Sequence, residues 1–220
     1  MSARASAKEV AGQHAAGFVR DGMRVGLGTG STVHHTIVAL GERQPAITCA
    51  VTSERSRALA AELGLTVRTP DEIGSLDLAI DGANEVDADL NFVKGGGGAL
   101  LREKIVAQMA IRFVVVVESK RVASLGTFGL PLEVPDFAPQ VVAARVRALG
   151  AREVTTRAER SDNGNLLLDP AFGTIPDPAR LGRTLEAIPG LLEHGLFLSA
   201  GVERVIVGGA GGVRDLVRGR

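Results

Sequence analysis

The stretch KGGGGALLREK, residues 94–104, places four glycines between a lysine and the start of an apolar helical pattern. Glycine loses more backbone freedom on ordering than any other residue, so four in a row make sense where the backbone itself is put to use. Such a turn can point its N–H groups inward as an anion-binding nest. Behind it, Glu103 stands one turn into the helix. Its neighbours three and four residues away are Ala99, Leu100, Val106 and Ala107. None is cationic, so Glu103 has no ion pair within its own helix, and Arg102 and Lys104 face elsewhere. If that face is covered, burial makes the carboxylate a better proton acceptor, which suits a general base. An exposed surface glutamate is the other reading of the same residues.

Two further loops combine glycine with polar side chains. In IDGANEVD, residues 80–87, Asp81 ends an apolar strand pattern and Gly82 releases the turn. Asp81, Asn84, Glu85 and Asp87 crowd the loop, either as site residues or as an Asx turn in a solvated acidic loop. In GLGTGST, residues 26–32, glycines let the backbone approach a ligand, and Thr29, Ser31 and Thr32 add hydroxyl donors. The helix that follows offers free N–H groups to an anion. The loop lacks the Gly-Lys-Ser/Thr of a P-loop and the GxGxxG of a dinucleotide site, so a phosphate or another small anion fits it better. A tight turn with an N-cap would also explain it. A last cluster, GGAGG at 208–212, has no neighbouring hydroxyls or acids and reads as a turn into the C-terminal residues. Only four of the 25 basic residues are lysine, namely Lys8, Lys94, Lys104 and Lys120. A compact point charge, rather than a guanidinium fork, is what those positions then supply.

The elements that must position these loops alternate along the chain. Strands are expected at 23–28, 46–52, 76–82 and 113–118. Helices are expected at 32–41, 53–64 and 99–110, with Ser53 as N-cap and Gly64 as the C-terminal stop. This is the signature of a mostly parallel sheet covered by helices on both faces. Past residue 127 prolines cluster at 131, 135 and 139. A helix (141–149), a strand (152–156), the turn SDNGN (161–165), the run LLLD and a helix near 178–187 follow, and the turn reads as a hairpin. VERVIVGG at 202–209 returns to the buried-strand style. The expected fold is α/β: a Rossmann-like, mostly parallel sheet in residues 1–127 plus 200–220, with a smaller α+β domain inserted at 128–199. In such sheets ligands bind beyond the carboxyl ends of the strands, where all three loops fall.

Composition narrows the function. The 220 residues are 45% hydrophobic and 23% charged, with a formal net charge of zero, seven Phe and no Trp or Tyr. No basic stripe or aromatic platform suggests nucleic acid. No apolar run is long enough to span a bilayer, and MSARASAKEV has no signal-peptide core, so a cytoplasmic location is expected. Cys49, the single cysteine, reads as a buried hydrophobe. Of the four histidines, His34 and His35 are adjacent and diverge on a helix. All four read as surface or interface residues, and no metal is expected.

In order along the chain, GLGTGST, SERSRALAAELG, IDGANEVD, KGGGGALLREK, the ESK at 118–120, DNGNLLLD and IPGLLEHGLF resemble the type A ribose-5-phosphate isomerases over essentially the whole length. The resemblance implies interconversion of ribose 5-phosphate and ribulose 5-phosphate without metal or cofactor, by a cytoplasmic homodimer or homotetramer. It implies substrate contacts from Thr29, Gly30, Ser31 and Thr32, from Asp81, Gly82, Ala83 and Asn84, from Lys94, Gly95, Gly96 and Gly97, and from Lys120. Glu103 would be the proton acceptor. The family usually has Asp-Gly-Ala-Asp-Glu in the second loop, where this chain has Asn84. An amide can hydrogen-bond a hydroxyl but cannot take a proton, so the ring-opening role falls to Asp81. A glutamate near its reference pKa of about 4.3 is weaker than the carbanion by roughly ten units. Charge must therefore be stabilised on the enediolate oxygens, for which Lys94 and the N–H groups of residues 95–98 are the candidates. Rival readings are an aminosugar-phosphate deaminase and a non-catalytic sugar-phosphate sensor. The sensor would keep the phosphate loop but has no need of Glu103 and Lys94.

Overall fold

The structure is a computed structural model that describes residues 6–121 and 123–217, the side chain of Lys120 aside. These cluster into two compact units. One takes the chain up to Ala83, Ile105–Arg121 and the chain from Ala200. The other takes Asn84–Lys104 and Val122–Ser199.

The first unit is built on a seven-stranded sheet. Across it run Thr66–Val67, Thr48–Val51, Arg24–Leu27, Leu78–Gly82, Phe113–Glu118, Val202–Gly209 and Gly212–Val217. All neighbours are parallel except the final hairpin. Counted in chain order, the six parallel strands run 3-2-1-4-5-6, the Rossmann arrangement. The order reverses between Arg24–Leu27 and Leu78–Gly82, which pair directly. The core packs Val25, Leu27, Ile80, Val114, Val116 and Ile206 against the helices Ala7–Ala16 and Ser31–Arg43. Continuous β-branched runs such as FVVVV suit strands buried on both faces. Cys49 lies in this core, and burial pushes its thiol up to about 12. Ser53 caps its helix as its sequence predicts, its hydroxyl accepting the Ser56 N–H at 3.1 Å. The GGAGG segment forms the turn of the hairpin between the last two strands.

The second unit has a four-stranded antiparallel sheet of Glu193–His194, Leu132–Val134, Leu166–Pro170 and Val154–Thr156. Its core joins Leu132, Val134 and Leu168 to Val142 and Val146 of the helix Pro139–Ala148 and Leu185 of Pro178–Glu186. The SDNGN turn does link two antiparallel strands. A small sheet of Glu85–Val86, Phe92–Val93 and Leu196–Phe197 ties residues 84–104 to this unit. The division expected from sequence placed those residues in the first domain. Strands of two residues are too short to show any alternation, so their pairing is not visible in the sequence.

Candidate active site

The first unit carries the GLGTGST loop and Asp81 at the carboxyl ends of the two strands that flank the reversal of strand order. Asp81 is buried, and its Oδ1 accepts the N–H groups of Thr29 at 3.1 Å and Gly82 at 2.7 Å. Gly28 passes so close that a Cβ there would lie 1.9 Å from the Asp81 carboxyl carbon. Only glycine fits. Thr29 Oγ1 meets Thr52 Oγ1 at 2.8 Å, and Ser56 Oγ donates to the Gly28 carbonyl at 2.7 Å. The helix then opens at Ser31 behind Gly30, which provides no side-chain cap, so the first-turn N–H groups are not closed off by a capping hydroxyl. Gly30 and Ser31 are exposed, Thr29 is half-buried and Thr32 is buried. A rigid loop with open helical N–H groups and adjacent hydroxyls is suited to an anion.

The second unit carries Asn84, Lys94, the glycine turn and Glu103. Lys94 follows the strand Phe92–Val93, and its N–H donates to the Gly195 carbonyl at 2.9 Å. Its ammonium lies 3.2 Å from Glu103 Oε1, with the two side chains 2% and 3% exposed. Glu103 is therefore covered, as its apolar helical neighbours suggest. Its cation comes from the far side of the glycine turn rather than from its own helix, Leu100–Met109. Gly95 and Gly98 adopt φ of +96° and +80°, which L side chains disfavour and which fold the turn back over the helix start. The Gly96 N–H donates to Asn84 Oδ1 at 3.0 Å. Asn84 thus holds the glycine turn through its acceptor oxygen, a feature that an amide and a carboxylate share.

The acidic loop is not uniformly solvated. Asp87 forms an Asx turn, accepting from the N–H groups of Asp89 at 3.0 Å and Asn91 at 2.8 Å. Glu85 is buried and accepts from the N–H groups of Gly126 at 2.7 Å and Phe128 at 2.6 Å, and from the Thr127 hydroxyl. Lys120 falls in the short turn Ser119–Arg121, and its side chain lies outside the described residues.

His194, read from sequence as a surface or interface residue, is buried beside Lys104. Lys104 Nζ donates to Glu193 Oε1 and to the His194 carbonyl, both at 2.7 Å, and lies 4.8 Å from the centre of the Phe197 ring. Burial lowers the ammonium's pKa from its ordinary value, and the Glu193 carboxylate works against that shift. Burial, and then the Lys104 charge, hold the His194 imidazole down at about 3. The sequence gives little warning of this cluster, since its members lie about 90 positions apart. Among the described residues no group of three or more His, Cys, Asp and Glu could hold a metal ion. Nor is any helix among them long and apolar enough to cross a membrane.

Comparison with known proteins supplies the family. Residues 48–212 match the profile of ribose 5-phosphate isomerase A, also called phosphoriboisomerase A.

The chain belongs to the ribose-5-phosphate isomerase A family.

The family protein of Thermomicrobium roseum is 48% identical, over 97% of this chain and 94% of its own. That of Sinorhizobium fredii is 45% identical, over 95% of this chain and 96% of its own. A crystal structure of ribose 5-phosphate isomerase A from Neisseria gonorrhoeae superposes with a TM-score of 0.94 at 32% identity, covering 97% of both chains. A D-ribose-5-phosphate isomerase solved in complex with phospho-erythronic acid superposes at 0.92 with 34% identity, covering 96% of this chain and 98% of its own.

Proposed function

We propose that this chain interconverts ribose 5-phosphate and ribulose 5-phosphate through an enediolate, as an aldose–ketose isomerase of the non-oxidative pentose phosphate pathway. Family membership over nearly the whole chain supports the substrate class. The observation that carries the chemistry is the buried Lys94–Glu103 pair beside the glycine turn. Glu103 takes the C2 proton of the open-chain aldose, and electrons pass through C2–C1 onto O1. A proton moves from O2 to O1, and Glu103 returns its proton to C1, leaving the carbonyl at C2. One carboxylate serves both carbons when both protons lie on one face of the enediol. Lys94 and the N–H groups of the turn offset the charge that develops on O1 and O2.

The remaining roles are those that the family resemblance implies. The Gly28–Thr32 loop takes the phosphate, with Gly30 and the hydroxyls of Thr29, Ser31 and Thr32 as donors. Asp81, held in place by the loop N–H groups of Thr29 and Gly82, takes the ring-opening role. Gly82, Ala83 and Asn84 line the sugar, Gly95, Gly96 and Gly97 face the reacting oxygens, and Lys120 contributes a further charge. The working form is a homodimer or homotetramer in the cytoplasm, needing no metal or cofactor.

The test is turnover of ribose 5-phosphate in the presence of EDTA, by wild type and by Glu103→Gln. General-base catalysis contributes about 10²–10⁴ in rate. Glu103→Gln should therefore lose at least a factor of about 100 in kcat, with substrate affinity changed only a few-fold. It should also lose incorporation of solvent deuterium into the sugar. Near-normal turnover by the variant would make Glu103 a bystander and move the base to Asp81.

A further inference from the structure

Arg157 has no part in the chemistry above, yet it grips the glycine turn. Its Nε and Nη2 donate to Asp169 Oδ2 at 2.5 Å and Oδ1 at 2.7 Å. This planar, two-point pairing fixes the guanidinium and leaves Nη1 for another acceptor. Nη1 donates to the Gly95 carbonyl at 2.9 Å and lies 3.3 Å from the Gly96 carbonyl. The two side chains line a pocket of about 460 Å³ together with Gly96, Gly97 and Gly98.

The geometry of the trans peptide turns this grip into an orientation. In a trans peptide the C=O and the following N–H point in opposite directions. No cis peptide bond occurs among the described residues. The Gly95–Gly96 peptide is held at both ends, its carbonyl by Arg157 and its N–H by Asn84 Oδ1 at 3.0 Å. It cannot flip without losing both bonds. Because the Gly96 carbonyl also leans toward Nη1, the Gly97 N–H points away from the guanidinium. Glycine peptides flip easily, since no Cβ opposes the rotation. A flip of the Gly96–Gly97 peptide would present a carbonyl oxygen in place of the Gly97 N–H, so stabilisation of the enediolate would become repulsion.

We propose that Arg157, locked by Asp169, is a positioning residue that aims the Gly97 N–H of the glycine turn at the developing enediolate. This role rests on the isomerase reading above. At 17% and 26% side-chain exposure the Arg157–Asp169 pair is partly solvated, so little of the fold's stability depends on it. Its contribution is to rate.

Three variants test this: Arg157→Lys, Arg157→Ala and Asp169→Asn. A lysine ammonium cannot both pair with Asp169 at two points and hold the turn carbonyls. Asp169→Asn loosens the guanidinium while conserving volume, and it carries the test if Arg157→Ala fails to fold. Misaimed donors should lower kcat by about 10- to 100-fold in Arg157→Lys and Asp169→Asn. KM for ribose 5-phosphate and inhibition by inorganic phosphate should stay within about threefold, since neither depends on transition-state charge. Phospho-erythronic acid, whose carboxylate carries two oxygens at the reacting end, should lose affinity by about the same factor as kcat. A kcat within about twofold of wild type in both variants would overturn the proposal, as would equal losses in kcat, KM and phosphate inhibition. Failure of the wild type to turn over ribose 5-phosphate would instead sink the isomerase reading itself. An active wild type with unaffected variants sinks only the role of Arg157.

Discussion

Replacing Lys94 by methionine keeps most of the side-chain volume and removes the ammonium that lies 3.2 Å from Glu103. At that distance the attraction is about 5 kcal/mol for an effective dielectric of about 20. Removing one partner of a buried pair typically costs about 3–5 kcal/mol. For a chain of this size each kcal/mol moves Tm by about 2–4 °C, so Lys94→Met should lower Tm by roughly 6–20 °C. Glu103→Leu should cost a similar amount by removing the carboxylate from beside the buried ammonium. The double variant Lys94→Met/Glu103→Leu replaces the pair with apolar groups, and such exchanges are often neutral in stability. It should therefore be more stable than either single variant, with a coupling energy of about 2 kcal/mol or more. The chain has no Trp or Tyr, so unfolding is best followed by far-ultraviolet circular dichroism or calorimetry. Turnover measured in parallel separates structure from chemistry. The double variant should recover stability and remain inert, because base and cation are both gone. Single-variant costs below about 1 kcal/mol, or a double-variant cost equal to their sum, would show the pair to be screened like a surface salt bridge and refute the burial argument.

His194 gives a pH dependence of defined sign. Its folded-state pKa is about 3 because of burial and then the Lys104 charge, against about 6.5 in the unfolded chain. The unfolded chain binds the proton more readily between those values, so stability rises with pH through that window. Tm should fall as pH drops from 7 toward 4, and His194→Gln, followed by the same melts, should flatten that dependence. Asn84→Asp keeps an acceptor for the Gly96 N–H and should change turnover by less than about tenfold, as read in the ribose 5-phosphate assay. A gain of hundreds-fold would show that an acid is missing at position 84.

Much of the local structure around the candidate site was legible in sequence because it rests on local signals. Ser53 before a helix, glycines flanking Thr29, and SDNGN between two apolar runs act within a few residues of themselves, through caps, turns and positive φ. The alternation of apolar strands and helices foretold the parallel sheet, and with it the GLGTGST loop and Asp81 at the carboxyl ends of neighbouring strands. The acceptor role of Asn84 toward Gly96, twelve residues away, was not legible. It depends on how the short strands Glu85–Val86 and Phe92–Val93 pair. The same holds for Lys94 and Glu103, which lie nine positions apart with no periodicity linking them, and for Lys104, whose partners Glu193 and His194 stand about ninety positions away. Arg157 and Asp169 come within reach through the register of an antiparallel pair in which Asp169 faces Thr155. Periodicity records which face of an element is buried. It carries no record of which distant element covers that face, so the partner of a buried charge is decided only when strand order and register bring the two together.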